Sequence, residues 1–386
     1  MKTTVSTAIA YALIDLGVDI VTCVPGYGGT DTFLAYNELN MRNLRFSYHE
    51  EAAFTISHSA GICGKRSASM MKAHGFMKAM NSITDAVYSE INAGFVTIIF
   101  EDKSGKHSDS ILEIIPILNS IPIQYIQTDT KNIYNNIIDA YAESERKKLP
   151  VVVLVDALNI SMETDFQRKN NLKKSFSYNR DIYKHVVHPM LSEYQYKVYI
   201  ANKLGGESNS IVKPELPIAP LQFPDRAKNI ALKYETFFKV FQNLRGDLVT
   251  GDTSGLGVFA FPPYNCVDII TYMGGSIPLS VGAFLAGFKN VWALTGDFGF
   301  ISAGTIGLVE ILQRELPIKI VIFYNKRAAS TGGPQINKKV FRQILAGFEK
   351  NIMHISNPLD PFEAETVLKE ASSQNEFKII IADYPE

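Results

Sequence analysis

Cysteine is scarce: Cys23, Cys63 and Cys266 are the whole complement of 386 residues, and no two stand close together. Without a CxxC pair, a zinc site or an iron–sulfur cluster built from this sequence alone is excluded. Isolated thiols fit a reducing cytoplasm. Surplus charge is missing too. Thirty-eight Lys and Arg face 39 Asp and Glu, a net charge of −1, so no basic excess is left for the phosphates of a nucleic acid. The densest basic stretch, Arg168–Lys174, is interrupted by two Asn and a Leu and reads as a solvated linker. No apolar run reaches the roughly 18 residues of a membrane span. Met1–Asp19 reads as an amphipathic helix with Asp15 inside it, not as a signal peptide. A soluble cytoplasmic protein without membrane contact is the expectation.

Core material, by contrast, is plentiful. The chain is 46% hydrophobic and 11% aromatic, which excludes a disordered or fibrous protein. At roughly 150 residues per domain, its length suggests two or three domains. Two α/β blocks are visible. In the first, helix Thr7–Leu16 leads to the apolar run Asp19–Val24, a Gly-rich turn at Pro25–Gly29, and further runs at Ser69–Met71, Phe95–Phe100, Ile121–Ile126 and Val151–Val155. The second opens with a helix over Lys228–Leu244. Strand candidates follow at Asp247–Thr250, Asp268–Tyr272, Val291–Leu294, Ile318–Tyr324 and Lys378–Ala382. β-branched runs alternating with helices predict parallel sheets with crossover helices, whose ligands bind at the carboxyl ends of the strands. Between the blocks, residues 161–226 are rich in Lys, Asn, Tyr, Ser and Pro and read as a connection with one or two helices, one near Glu193–Asn202.

The strongest constellation lies in the second block. Gly296-Asp297 closes one strand and Asn325 closes the next, 28 positions later, enough for the helix Ser302–Glu315 and a return strand. One crossover thus brings a carboxylate and an amide oxygen to adjacent strand ends. A hard divalent cation such as Mg²⁺ takes such oxygen donors at about 2.1 Å and leaves other positions to water and phosphate. Phe298 and Gly299 open the following helix, whose first amides attract phosphate oxygens. A purely structural Gly-Asp strand end is the alternative.

With these residues in place, the chain resembles the thiamine-diphosphate-dependent enzymes, whose diphosphate motif is Gly-Asp-Gly, a helix and a strand, then Asn, usually doubled. Here Phe298 takes the third position and Lys326 follows Asn325. Within that superfamily the likeness is greatest to the large subunit of indolepyruvate ferredoxin oxidoreductase. Thr250-Gly251-Asp252, Tyr272–Ile277 and Asn325–Gly332 follow its motifs in order. Small phosphonopyruvate and sulfopyruvate decarboxylases are also similar. The resemblance implies an α/β architecture of two thiamine-diphosphate-binding-fold domains, each a parallel sheet flanked by helices. Residues 1–160 would form the pyrimidine-binding domain, 161–226 the connecting segment and 227–386 the diphosphate-binding domain.

The resemblance also implies site residues. Asp297, the side chain of Asn325 and the backbone carbonyl of Arg327 would hold Mg²⁺. Gly251, Thr253, Ser254, Phe298 and Gly299 would lie near the diphosphate, and Met273, followed by Gly274 and Gly275, would prop the bent cofactor. A Glu from the pyrimidine-binding domain is needed at the aminopyrimidine N1′. Glu50 is preferred to Glu51, because Ala53 completes the Glu-x-x-Ala pattern and Gly64, Lys72 and Gly75 keep the family's spacing only from Glu50. His74 and His107 lie in loops that the resemblance places near substrate. Tyr27, within Gly26–Thr30, matches a cofactor-facing turn or is simply a tight turn.

The family's ferredoxin-like domain and Cys-rich stretch have no counterpart in this sequence, which ends at Asp383–Glu386. The expectation is therefore non-oxidative decarboxylation of a 2-oxo acid, with or without carboligation, through a C2 enamine. A 2-oxoacid ferredoxin oxidoreductase subunit, with its clusters on a separate redox partner, is the alternative. A non-catalytic structural or regulatory subunit comes third. The resemblance further implies a homodimer or tetramer with active sites between chains.

Overall fold

The computed structural model describes residues 1–385. The chain forms two compact units: Met1–Asn179 with Lys197–Ser210, and Arg180–Tyr196 with the residues from Ile211 onward. The stretch 161–226, expected as one connecting segment, is therefore distributed between them.

In the first unit, Thr4 caps the helix Val5–Leu16 by accepting from Thr7 N, and Gly17 ends it in the left-handed conformation at φ 70°. The strands are β1 (Lys2–Thr4), β2 (Ile20–Cys23), β3 (Ser67–Lys72), β4 (Phe95–Glu101), β5 (Gln124–Gln127), β6 (Val151–Asp156) and β7 (Glu163–Asp165). Five form a parallel sheet in the order β2-β3-β4-β6-β5. Every residue of β4 is buried, as strands covered by helices on both faces require. β1 and β7 make a separate antiparallel pair with Lys2 opposite Asp165. Sequence reading missed both, because three residues carry no periodicity. Cys23 and Cys63 are buried and not joined in a disulfide, and burial pushes the Cys23 thiol up to about 12.

His58 is buried in this unit beside Phe54 and Phe95. Burial pushes its imidazole down to about 4, against an opposing backbone hydrogen bond at Ser89. The unfolded chain takes up a proton that the folded chain refuses. Its contribution to stability is thus complete above pH 6.5 and is lost as pH falls towards 4, by about 3 kcal/mol in all. Chemical denaturation at pH 7 and pH 4.5 should show that loss in the wild type and a smaller one in His58→Gln. An equal loss in both proteins would remove His58 from the account.

The second unit continues with β8 (Leu248–Gly251), β9 (Ile269–Ile270), β10 (Val291–Gly296), β11 (Lys319–Tyr324), β12 (Ile352–Ile355) and β13 (Lys378–Asp383), in the all-parallel order β12-β13-β11-β10-β8-β9. From β8 the chain passes to β9 on one side and then to β10 on the other. The connections leaving β8 and β10 diverge there, and this opens a crevice at their carboxyl ends.

Three expectations need correction. The strand expected over Asp268–Tyr272 shrinks to Ile269–Ile270: at its start the Asp268 carboxylate takes the Val249 N–H that a strand carbonyl would otherwise accept, and at its end the chain turns, with Gly275 N donating to Tyr272 O. Strand β12 was missed. The helix expected over Lys228–Leu244 is two helices, Asp225–Leu232 and Glu235–Phe241. At the break, Tyr234 N donates to Ala231 O. Tyr234 is carried edge-on to Phe323 and Tyr384, while Phe237, Phe238 and Phe241 enter the core. Each Phe so buried contributes roughly 1.5–3 kcal/mol, enough to override the continuous-helix pattern.

Candidate active site

The tripeptide Thr-Gly-Asp ends both β8 (Thr250–Asp252) and β10 (Thr295–Asp297), strands that pair side by side. The two carboxylates have different surroundings. Asp252 is enclosed: Oδ1 accepts from Ser276 N at 2.9 Å and Oδ2 from Thr295 Oγ1 at 2.5 Å. It thereby ties the ends of β8 and β10 to the turn Met273–Gly275. Burial raises its carboxyl, and Thr295, Ser276 and Gly274 oppose this. Within the turn, Gly274 has φ 82°, and a Cβ there would lie 2.5 Å from that of Ala303, so only glycine fits.

Asp297 begins a continuous helical stretch that runs through a π-helical segment, Phe300–Gly304, into Thr305–Arg314. The helical stretch opens at Asp297, beside the expected opening at Phe298 and Gly299 but ahead of the expected helix bound Ser302, and the wide turn after Gly299 was not foreseen. Asp297 Oδ1 accepts from Phe298 N at 2.8 Å and Oδ2 from Lys326 N at 2.6 Å. Burial pushes its carboxyl up to about 6, against the N–H groups of Lys326, Phe298 and Asn325. A buried carboxylate of this kind favours a nearby cation.

An open cavity lies over these strand ends. Asp297, Asn325 and Arg327 line it, as do Thr253, Ser254, Met273, Phe298 and Gly299. Met273, expected to prop a cofactor, lines this cavity a short way beyond β9 and is 37% exposed. Gly251 closes β8. A Cβ on Gly299 would fall 2.6 Å from Asp252 Oδ2, so the bare helix start lets the two motifs approach. Lys326, where the family has a second Asn, adopts φ 63° and sends its ammonium to Asp383 and Tyr384 O.

The donor set suits a hard cation. It offers one carboxylate, one amide oxygen and the Arg327 carbonyl, which already accepts from Ala329 N at 2.9 Å and keeps a second lone pair. Among the described residues, no cluster of three or more His, Cys, Asp and Glu could hold a metal. A cation here would complete its shell with water and ligand oxygens.

In the first unit, Glu50 opens the helix Glu50–Ile62, and His49 Nδ1 accepts from Glu51 N at 3.2 Å as its cap. Glu50 lines an open cavity with Lys72, His74, His107 and Ser110. Its side chain lies against Gly75, where a Cβ would meet Oε1 at 2.6 Å. Lys78 Nζ stands 2.6 Å from Oε2 without hydrogen-bond alignment. Glu51 instead accepts from Asn81 Nδ2 at 3.0 Å. His74 Nε2 and Ser110 Oγ are 2.9 Å apart. His107 stacks on Tyr27 at 3.7 Å, and its carbonyl accepts from Lys72 Nζ at 2.5 Å. Lys72 reaches that loop across Gly26, where a Cβ would collide with its stem at 2.8 Å.

Sequence reasoning missed two residues of the second unit. Asp252 was quoted only as part of a motif, although the repeated Thr-Gly-Asp was a signal for it. Tyr234 lines the cavity and touches Asn325, and nothing in the local sequence marks it.

Comparison with known proteins gives the same direction. Residues 255–380 match the family described as thiamine pyrophosphate enzyme, C-terminal TPP binding domain. That segment includes Met273–Gly275, Asp297–Gly299 and Asn325–Arg327. Indolepyruvate oxidoreductase subunit IorA of Methanothermobacter thermautotrophicus is 24% identical over 139 residues. The match covers 32% of this chain and 22% of that protein. Two solved structures share the fold over 99% of both chains. One is a Mycobacterium smegmatis protein described as a "putative thiamin diphosphate-dependent enzyme" (TM-score 0.66, 13% identity). The other is a thiamine diphosphate-dependent 4-hydroxybenzoylformate decarboxylase of Rhodococcus jostii (TM-score 0.67, 14% identity). Among the described residues, no helix is long and apolar enough to cross a membrane.

Proposed function

We propose that this chain, which carries a thiamine-pyrophosphate-binding domain over residues 255–380, is a thiamine-diphosphate-dependent enzyme that decarboxylates a 2-oxo acid without net oxidation. Carboligation of the product to a second carbonyl is the natural extension. The observation that carries the reading is the cavity at the ends of β8, β10 and β11 that Asp297, Asn325 and Arg327 line together.

Asp297, the Asn325 amide oxygen and the Arg327 carbonyl hold Mg²⁺. Thr253, Ser254 and the first amides of the helix at Phe298 and Gly299 flank the diphosphate, with Gly251 behind them. Met273 props the cofactor where Gly274 and Gly275 let the backbone turn. When bound, thiamine diphosphate supplies an electron sink at its thiazolium C2 for the pair left by departing carbon dioxide. Glu50 exchanges a proton with N1′ of the aminopyrimidine. His74 and His107 face the substrate carboxylate as donors, and Tyr27 holds the His107 ring in place. Two chains pair as a homodimer, alone or within a tetramer. In it, Glu50 of one chain and Asp297 of the other serve the same cofactor; two-fold pairing is the commonest closed assembly.

The likeness to an indolepyruvate oxidoreductase subunit favours a second reading, in which electrons leave to a separate redox partner. Incubation with thiamine diphosphate, Mg²⁺ and a panel of 2-oxo acids separates the two. Carbon dioxide release without an electron acceptor is expected. Strict dependence on a viologen dye or ferredoxin would transfer the assignment to the second reading, and no release in either case would leave a non-catalytic subunit.

A further inference from the structure

Asn325 differs from the other two proposed ligands because its amide can turn either of two atoms towards a metal, and only the oxygen binds a hard cation. One neighbour decides which atom is which, and a second holds the plane of the amide. The Arg327 backbone N–H, which can only donate, lies 2.9 Å from Oδ1. On the other side, Nδ2 donates to the Tyr234 hydroxyl at 2.6 Å. Turning the amide over would set its NH₂ against the Arg327 N–H and replace a satisfied pair by two facing donors.

The first contact comes from backbone two residues away. The second is a side chain from 91 residues earlier, brought in by the helix break at Lys233–Tyr234. Tyr234 is only 3% exposed. Its ring stands edge-on to Tyr384 at 4.7 Å and to Phe323, the β11 residue two before Asn325, at 5.5 Å. Those contacts fix the height of the hydroxyl, so the strand that carries the ligand also carries the packing that aims it.

We infer that Tyr234 is a positioning residue for the metal: its hydroxyl accepts from Asn325 Nδ2 and anchors the amide plane, whose Oδ1 the Arg327 N–H has already selected as the ligand atom. The inference rests on the proposed Asp297–Asn325 metal site. Residues that orient ligands from behind typically change metal affinity by about 10–100-fold when removed.

Tyr234→Phe keeps the ring packing and deletes only the hydroxyl. Cofactor binding is read by calorimetry, with Mg²⁺ varied at fixed thiamine diphosphate and the cofactor then varied at saturating Mg²⁺. The half-saturating Mg²⁺ concentration should rise about tenfold or more. At saturating Mg²⁺, the affinity for thiamine diphosphate should return to within about twofold of wild type. Thermal unfolding of the metal-free variant should match wild type, which separates a positioning effect from a packing defect. An unchanged Mg²⁺ requirement would overturn the inference. So would an affinity loss that saturating Mg²⁺ does not recover, since the hydroxyl would then act elsewhere. Absence of Mg²⁺-dependent binding in the wild type would instead overturn the cofactor reading on which the inference stands.

Discussion

Glu50→Gln should lower turnover by about 10²–10⁴-fold while the affinity for thiamine diphosphate stays close to that of wild type. The amide matches the carboxylate in size and fills the same space against Gly75, so the local packing is kept. What is lost is a group that takes and returns a proton at N1′. Steady-state turnover, with binding checked by calorimetry, gives both numbers. Glu51→Gln is the control: its carboxylate is turned to Asn81, and near-wild-type turnover is expected. A larger loss in Glu51→Gln than in Glu50→Gln would move the role to the neighbour.

The second large effect concerns assembly. Glu50→Gln and Asp297→Ala chains should each be inactive, and mixing them should restore activity. If each site draws Glu50 from one chain and Asp297 from the other, a mixed dimer has one site with both residues intact. Free exchange at equal amounts makes about half the dimers mixed, so roughly a quarter of the wild-type sites return. No recovery after verified subunit exchange would mean that each site is built within one chain.

The legible parts of this protein were those that chain length dictates. Asp297 and Asn325 could be paired because a helix and a return strand need about the number of residues between them, and the two line one cavity. The β-branched runs at Phe95–Phe100 and Val151–Val155 marked strands that are buried on both faces. Glu50 was distinguishable from Glu51 only through family spacing, and the packing of Gly75 against Glu50 gives that spacing a physical basis. Tertiary contacts decided the rest. A helical pattern over Lys228–Leu244 cannot show that aromatic packing will break it at Tyr234. The Thr-Gly-Asp at Thr250–Asp252 reads as an ordinary strand end, and only the tertiary contacts of Asp252 show its carboxylate tying β10 to the Gly274 turn. β1, β7 and β12 are too short to carry a period.

One measurement bears most directly on the central claim: calorimetric titration of thiamine diphosphate into the purified chain, in Mg²⁺ and again after chelation. The account predicts saturable binding of one cofactor per chain that disappears on chelation. In Asp297→Ala it should weaken by at least about 100-fold, because the diphosphate loses the dication that offsets its charge. Absence of binding in Mg²⁺, or binding indifferent to both chelation and Asp297→Ala, would contradict it.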